Sequence, residues 1–287
     1  MIRRRLTGYA LVLPGAVWLA IFFVVPMYLM WRLSLNSGSV ETGFHFSWDW
    51  ANYHEAFTLY DTQFFRSFYY AAIATLIALA VAYPLAYGIA FHGGRFKHLL
   101  LLLVLAPFLT TYLIRTLAWE TILNDQSPAV HLLNDLGLIS GGRVLGTTGA
   151  VIAGITYNFL PFMVLPVFAS LETIDRRYVE AAQDLYASPR TAFWRIVVPL
   201  SAPGIVAGSL LTFIPAVGDY INANFLGGPN NRMIGNVVQG LYLTERNYPM
   251  AASLSFVLMA LITVVVTIYL RLAGSRALTG DDLSELG

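Results

Sequence analysis

The residues best spaced to do chemistry sit in one polar stretch, Glu180 to Pro199, which reads EAAQDLYASPRTAFWRIVVP between long apolar runs. Glu180 and Asp184 are one helical turn apart, and Arg176 lies one turn before Glu180. Ala181, Ala182 and Leu185 share a helical face with Tyr178 beside them. Small side chains on that face let another backbone approach closely. Ser188 is a good N-cap, and Pro189 suits the first helical position because its missing N–H would be unpaired there. The stretch therefore predicts two short helices joined at Ser188. Its chemistry is docking, by close packing and charge pairing, rather than catalysis.

Other chemistries find little support. Lys97 is the only lysine, set between Phe96 and His98, so no Gly-Lys-Ser/Thr phosphate loop exists. Any ATP this protein works with is bound by another chain. There is no cysteine, hence no disulfide or thiol chemistry. His45, His54, His92, His98 and His131 lack His-x-x-x-His spacing and fall on both sides of the membrane proposed below, so no metal site is expected. No serine sits in a nucleophile-elbow pattern. A net charge of +1 gives no reason to expect nucleic acid.

The elements that must position these residues are membrane helices. Of 287 residues 57% are hydrophobic and 11% charged, with mean hydropathy +0.64; an ordinary soluble domain carries about 25% charge. Six apolar runs read as spans at about 9–31, 67–91, 99–119, 148–171, 201–222 and 251–272. The first exceeds a signal-peptide core and no small-x-small site follows it, so it reads as a membrane helix with Pro14 and Pro26 kinking its ends. Arg3, Arg4 and Arg5 precede it. Pro161 and Pro166 are expected to break the fourth span. Arg115 lies inside the third, where it snorkels outward or finds a partner. A short amphipathic segment is expected near Ala129 to Leu138, and an acidic tail closes the chain. Eleven of the 17 Lys and Arg residues fall on the side holding both termini, which predicts that both are cytoplasmic. The polar stretch then lies in a cytoplasmic loop at about 172–200, within a single membrane domain spanning 1–287.

That stretch resembles the Glu-Ala-Ala loop of permease subunits of bacterial ABC importers. The matches are Glu180, Ala181, Ala182, Ile196 and Pro199, and the motif glycine is replaced by Tyr186. Further segments resemble the first permease subunit of spermidine/putrescine importers: Pro84-Leu-Ala-Tyr87, Pro107-Phe with Leu113-Ile-Arg-Thr116, Leu160 to Pro166, Phe213 to Asp219, Leu226-Gly-Gly-Pro229 and Met233-Ile-Gly-Asn236. The resemblance implies an all-α, six-helix permease of the type I (MetI-like) class in a bacterial inner membrane. It also implies a second permease, two ATP-hydrolysing subunits that hold ATP and magnesium, and an external substrate-binding protein. Coupling would fall to Glu180, Ala181, Ala182, Asp184, Leu185, Ala187, Ile196 and Pro199, with alternating access driven by the ATPases.

A polyamine pathway needs carboxylates, carbonyl oxygens and aromatic faces. Asp219, Tyr220, Asn222 and Asn224 form the best such cluster, with Tyr112, Trp119, Glu120 and Tyr157 behind them. Each also has a plainer reading: Asp219 as a helix-end residue or a partner for Arg115, and the aromatics as packing. Another organic cation, an opine-like compound or an amino-acid derivative fits the same machine. A stand-alone secondary transporter or channel is the other class, but it expects ionisable residues deep in the spans and leaves the docking loop unexplained.

Overall fold

The computed structural model describes residues 12–137, 139 and 142–277, with side chains to residue 272. Arg3 to Arg5, the first residues of the first span, Leu138, the Arg276 side chain and the acidic tail lie outside that description.

The described residues are mostly helical, with one small sheet that hydropathy did not suggest. Helix α1 is Val12–Ser34. Strands β1 (Asn36–Ser39) and β2 (Gly43–Phe46) pair antiparallel, Asn36 opposite Phe46 and Ser39 opposite Gly43. Then come α2 (Ala51–Leu59), α3 (Asp61–His92), α4 (Gly94–Leu109), α5 (Tyr112–Ile122), α6 (Pro128–Asp135) and α7 (Thr148–Glu172). The second half holds α8 (Arg176–Asp184), α9 (Pro189–Leu200), α10 (Ala202–Val217), α11 (Ile221–Phe225), α12 (Ile234–Leu243) and α13 (Tyr248–Ala277). Among the described residues four helices, α1, α3, α7 and α13, are each long and apolar enough to cross a membrane. Counting each of two bent pairs as one span gives six.

The third span, expected at about 99–119, is bent within its length, whereas the second bend falls near Ser201, where the fifth span was expected to begin. Helices α4 and α5 meet at 86°, with Thr110 and Thr111 extended between them (ψ 155° and 138°). Helices α9 and α10 meet at 61°, and α10 ends at Val217, short of Asp219. Conversely, α7 runs unbroken through Pro161 and Pro166, where two breaks were expected. Near Pro26 and Pro199 the chain forms π-helical turns, Ala20–Val24 and Phe193–Val197, each ending two residues before the proline. Such a widened turn accommodates a ring and a missing donor without ending the helix.

By their internal contacts, residues 12–61 with 237–260 form one compact unit and 62–236 with 261–277 another. In the first, Leu35 is fully buried and its carbonyl accepts from Ser47 N (3.4 Å) and Asp49 N (3.0 Å), which folds the hairpin back on the end of α1. Asn52 Nδ2 donates to Ser34 O and Asn36 O, both at 3.0 Å, and Ser253 Oγ donates to Ser34 O at 3.1 Å. Apolar side chains of α1 such as Trp18, Phe22 and Leu29 are exposed, as lipid-facing positions require.

In the second unit, α3 presents a stripe of fully buried alanines: Ala71, Ala74, Ala78, Ala82 and Ala86. Their three- and four-residue spacing places them on one face. Ala78, Ala82 and Ala86 belong to a core with Met163, Val164, Val167, Phe168 and Leu171 of α7 and Val197 of α9. Helix α10 closes on α7 through glycine. A Cβ on Gly204 would lie 2.5 Å from Pro166 O and from Ser170 Cβ; one on Gly208 would lie 2.9 Å from Met163 Sδ. Small residues one turn apart are how helices approach closely in a membrane.

Candidate functional site

Two places gather the predicted residues. The first is the loop between α7 and α10. Asp175 caps α8 by accepting from Arg177 N at 3.0 Å. Ser188 caps α9, accepting from Thr191 N at 3.3 Å with Pro189 in the first turn. The two-helix knob expected from Ser188-Pro189 is therefore present. Its ends are tied to the spans. Arg176 Nη2 donates to Phe91 O at 2.9 Å, and Lys97 pairs with Glu172. Arg176 thus bonds the end of α3 rather than Glu180.

Tyr186 fills the position of the motif glycine, and its backbone does what glycine would do there. Its φ is +61°. Tyr186 N donates to Gln183 O (2.9 Å) and Ala187 N to Ala182 O (3.0 Å), the paired bonds of a Schellman cap after α8. A left-handed tyrosine costs about 1–2 kcal/mol over glycine, and its side chain is 99% exposed, with no packing in this chain to offset the strain. Tyr186→Gly is accordingly expected to raise the stability of the purified protein by up to about 1 kcal/mol after glycine's entropy cost, measurable by thermal unfolding in detergent. Around Tyr186 the knob exposes Leu185, Tyr178, Ala181 and Glu180, while Ala182, Ala187 and Ile196 are half-buried and Pro199 and Asp184 exposed.

The second place is the break after α10. Asp219 is 6% exposed, and both of its oxygens are occupied. Oδ1 accepts from Ile221 N (2.9 Å) and Asn222 N (3.2 Å). Oδ2 accepts from Tyr112 Oη (2.9 Å) and Asn222 Nδ2 (2.5 Å). Asn222 Nδ2 also reaches Tyr112 Oη at 2.6 Å. Asn222 Oδ1 accepts from Asn158 Nδ2 (3.0 Å) and Thr116 Oγ1 (3.4 Å), and Asn158 Nδ2 bonds Thr116 Oγ1 at 3.2 Å. This buried network joins α5, α7 and α11 at the 86° bend. Arg115 is not Asp219's partner. Its guanidinium lies 4.6 Å from the Phe108 ring centroid and 5.7 Å from that of Tyr112, stacked across the bend rather than extended.

The remaining pathway candidates separate. Trp119 and Tyr157 stand edge to face at 5.4 Å and line an apolar groove with Ile77, Ile152 and Leu160. Tyr220 and Asn224 are exposed. Glu120 is half-buried in a different pocket, with Leu117, Thr121, Asn124, Gln126, Ser127 and Pro128. Asn158 and Thr116 escaped the sequence reading. An amide within an apolar span was the available signal, because intramembrane polar groups are expensive and need partners.

Saturated bonding makes Asp219 a structural group. Asp219→Asn removes an acceptor facing two donors and is expected to destabilise the protein by about 2–3 kcal/mol, seen as a lowered melting midpoint. An unchanged midpoint would show that the four bonds carry no net stability.

This arrangement of spans, bends and two-helix knob belongs to a known family of membrane transport proteins. The family described as "Binding-protein-dependent transport system inner membrane component" matches residues 4–277. The chain belongs to that family of ABC importer permeases, which sets aside a stand-alone transporter. It is 35% identical to the spermidine/putrescine transport system permease protein PotB of Haemophilus influenzae, over 88% of this chain and 90% of that one. Against PotB of Escherichia coli (strain K12) it is 38% identical over 74% of this chain and 78% of that one. Among solved structures, a bacterial ABC transporter involved in import of the acidic polysaccharide alginate superposes with a TM-score of 0.68 at 18% identity, covering 96% of this chain and 97% of that one. The MetNI methionine ABC transporter superposes at 0.54 with 15% identity, covering 75% of this chain and 92% of that one. These structures establish the fold.

Proposed function

We propose that this chain is a permease subunit that forms part of the pathway of an ABC importer for polyamines, spermidine and putrescine. The observation that carries the reading is 35–38% identity, over most of the chain, to permeases named for spermidine/putrescine transport. The machine is completed by a second permease, two ABC ATPases that bind ATP and magnesium, and an extracytoplasmic substrate-binding protein. A related fold has been seen with a substrate-loaded periplasmic protein, in the alginate transporter. Both termini and the 172–200 loop lie in the cytoplasm.

The loop docks on an ATPase through Glu180, Ala181, Ala182, Asp184 and Leu185, with Ala187, Ile196 and Pro199 shaping its second half. Arg176 on Phe91 and Lys97 on Glu172 tie the α8 knob and the end of α7 to α3 and α4, so movement of the docked knob passes to the spans. Closure of the ATPases then reorients the helices and exposes the pathway to the other side. Asp219, Asn222 and Tyr112 hold the pathway wall at the bend of α4 and α5, with Tyr220 and Asn224 exposed beside them, Trp119 and Tyr157 in the apolar groove and Glu120 in its own pocket as further candidates along the route.

Uptake of radiolabelled putrescine and spermidine by cells carrying the complete importer tests the reading, against cells lacking only this chain. Saturable uptake that requires this chain and competes between the two polyamines is expected. Uptake unaffected by removing it would overturn the assignment.

A further inference from the structure

The outer acids of the second unit differ in what they already hold. Asp219 is buried and fully bonded. Asp125 lies 4.0 Å from Arg143, and Asp135 is exposed at the end of α6. Glu120 differs from all three. It is half-buried, lines a pocket of about 540 Å³, and among the described residues makes no hydrogen bond or ion pair.

The helix geometry explains why Glu120 stays free. Tyr112 and Thr116 of α5, and Leu123 at its C-cap, turn inward to the buried network and core. Leu117, Glu120, Thr121 and Asn124 follow three- and four-residue spacing on another face. That face meets the turn before α6. Ser127 fixes the turn by donating to Ile122 O (2.5 Å) while accepting from Val130 N (3.2 Å). Asn124 Oδ1 accepts from Gln126 N at 3.0 Å, closing the rim. Thr121 Oγ1 donates to Leu117 O at 3.0 Å and keeps its lone pairs. The pocket therefore offers a carboxylate, a hydroxyl oxygen and amide oxygens, with no cationic side chain in its lining.

An alkylammonium carries three donors and no acceptor. A free carboxylate with neutral oxygens around it is its complement, and half-burial strengthens the pairing relative to an exposed surface pair. We infer that the Glu120 pocket is an ammonium-binding subsite: Glu120 pairs with one terminal ammonium of a linear di- or polyamine entering at the outer end of the bent third span. This rests on the polyamine reading above, and it assigns the cation-binding role to Glu120 rather than to Asp219.

The test measures initial uptake of labelled putrescine across a concentration range in cells carrying the complete importer. Wild type, Glu120→Gln and Glu120→Asp are compared. Loss of a charge-assisted hydrogen bond is expected to raise the half-saturation concentration about tenfold or more in Glu120→Gln, with Glu120→Asp intermediate. The half-saturation value does not depend on how much protein reaches the membrane, so a merely structural role, which lowers maximal uptake, leaves it unmoved. A wild-type half-saturation value in Glu120→Gln overturns the subsite while the polyamine reading stands. Absence of polyamine uptake in the wild-type importer overturns both.

Discussion

Gly204→Leu is expected to prevent accumulation of folded protein in the membrane. The reason is the seam between α7 and α10. A Cβ at residue 204 would lie 2.5 Å from the Pro166 carbonyl oxygen, and leucine adds three more carbons beyond it. The obstacle is backbone, which cannot rotate aside. Ordinary overpacking costs about 1–3 kcal/mol; here the helices must separate, forfeiting the contacts of Gly208 with Met163 and of Ser170 with the same face. A loss of about 4 kcal/mol or more is comparable to the whole stability of many domains. The measurement is the amount of monodisperse protein recovered in detergent. Gly240→Ala is the control. Nothing lies within 4 Å of its added Cβ, and alanine favours a helix by up to about 1 kcal/mol. Wild-type recovery of Gly204→Leu would mean that the two helices are not held at this separation.

That seam also shows which parts of the structure were legible in the sequence. The spans were, because a run of apolar residues must be buried in lipid or protein whatever its neighbours. Their interruptions were not. Pro161 and Pro166 look like breaks, yet α7 absorbs both; neighbouring helices and adjusted local bonding can meet the freed carbonyls. The third span looks continuous, yet it turns by 86° at Thr110–Thr111. That turn is stabilised by hydrogen bonds that Tyr112 donates to Asp219 and Thr116 donates to Asn222 and accepts from Asn158, residues roughly 40 to 110 positions away. No local pattern encodes such partners. The same distance hid the role of Asp219: its polarity was readable, but its saturation depends on α5. Tyr186 was readable as a departure from a glycine motif. The two-helix knob was expected to survive that departure with the turn after Leu185 altered; that tyrosine instead takes the left-handed conformation itself and keeps the cap follows only from the bonds of Ala187 and Tyr186 to the end of α8.

The knob carries the second large prediction. Glu180→Lys is expected to impair uptake severely while leaving insertion and folding intact. Glu180 is exposed on α8, and among the described residues it makes no hydrogen bond or ion pair. An exposed side chain without contacts seldom changes stability by more than about 0.5 kcal/mol when replaced. Melting behaviour and yield should therefore match wild type, which separates this variant from Gly204→Leu. Docking is different. Reversing a charge at a contact costs several kcal/mol when it meets a like charge or leaves its partner unpaired. Uptake should accordingly fall by at least about tenfold, with Glu180→Gln between the two because it removes attraction without adding repulsion. Co-purification of the ATPase should weaken in the same order, since α8 is where the knob meets it under the proposed function. The exposed Leu185 and Tyr186 beside it provide the apolar part of that contact, so some association should survive the charge reversal while transport is severely impaired. Normal uptake in Glu180→Lys would remove Glu180 from the docking face and leave the apolar tip of the knob as its whole basis.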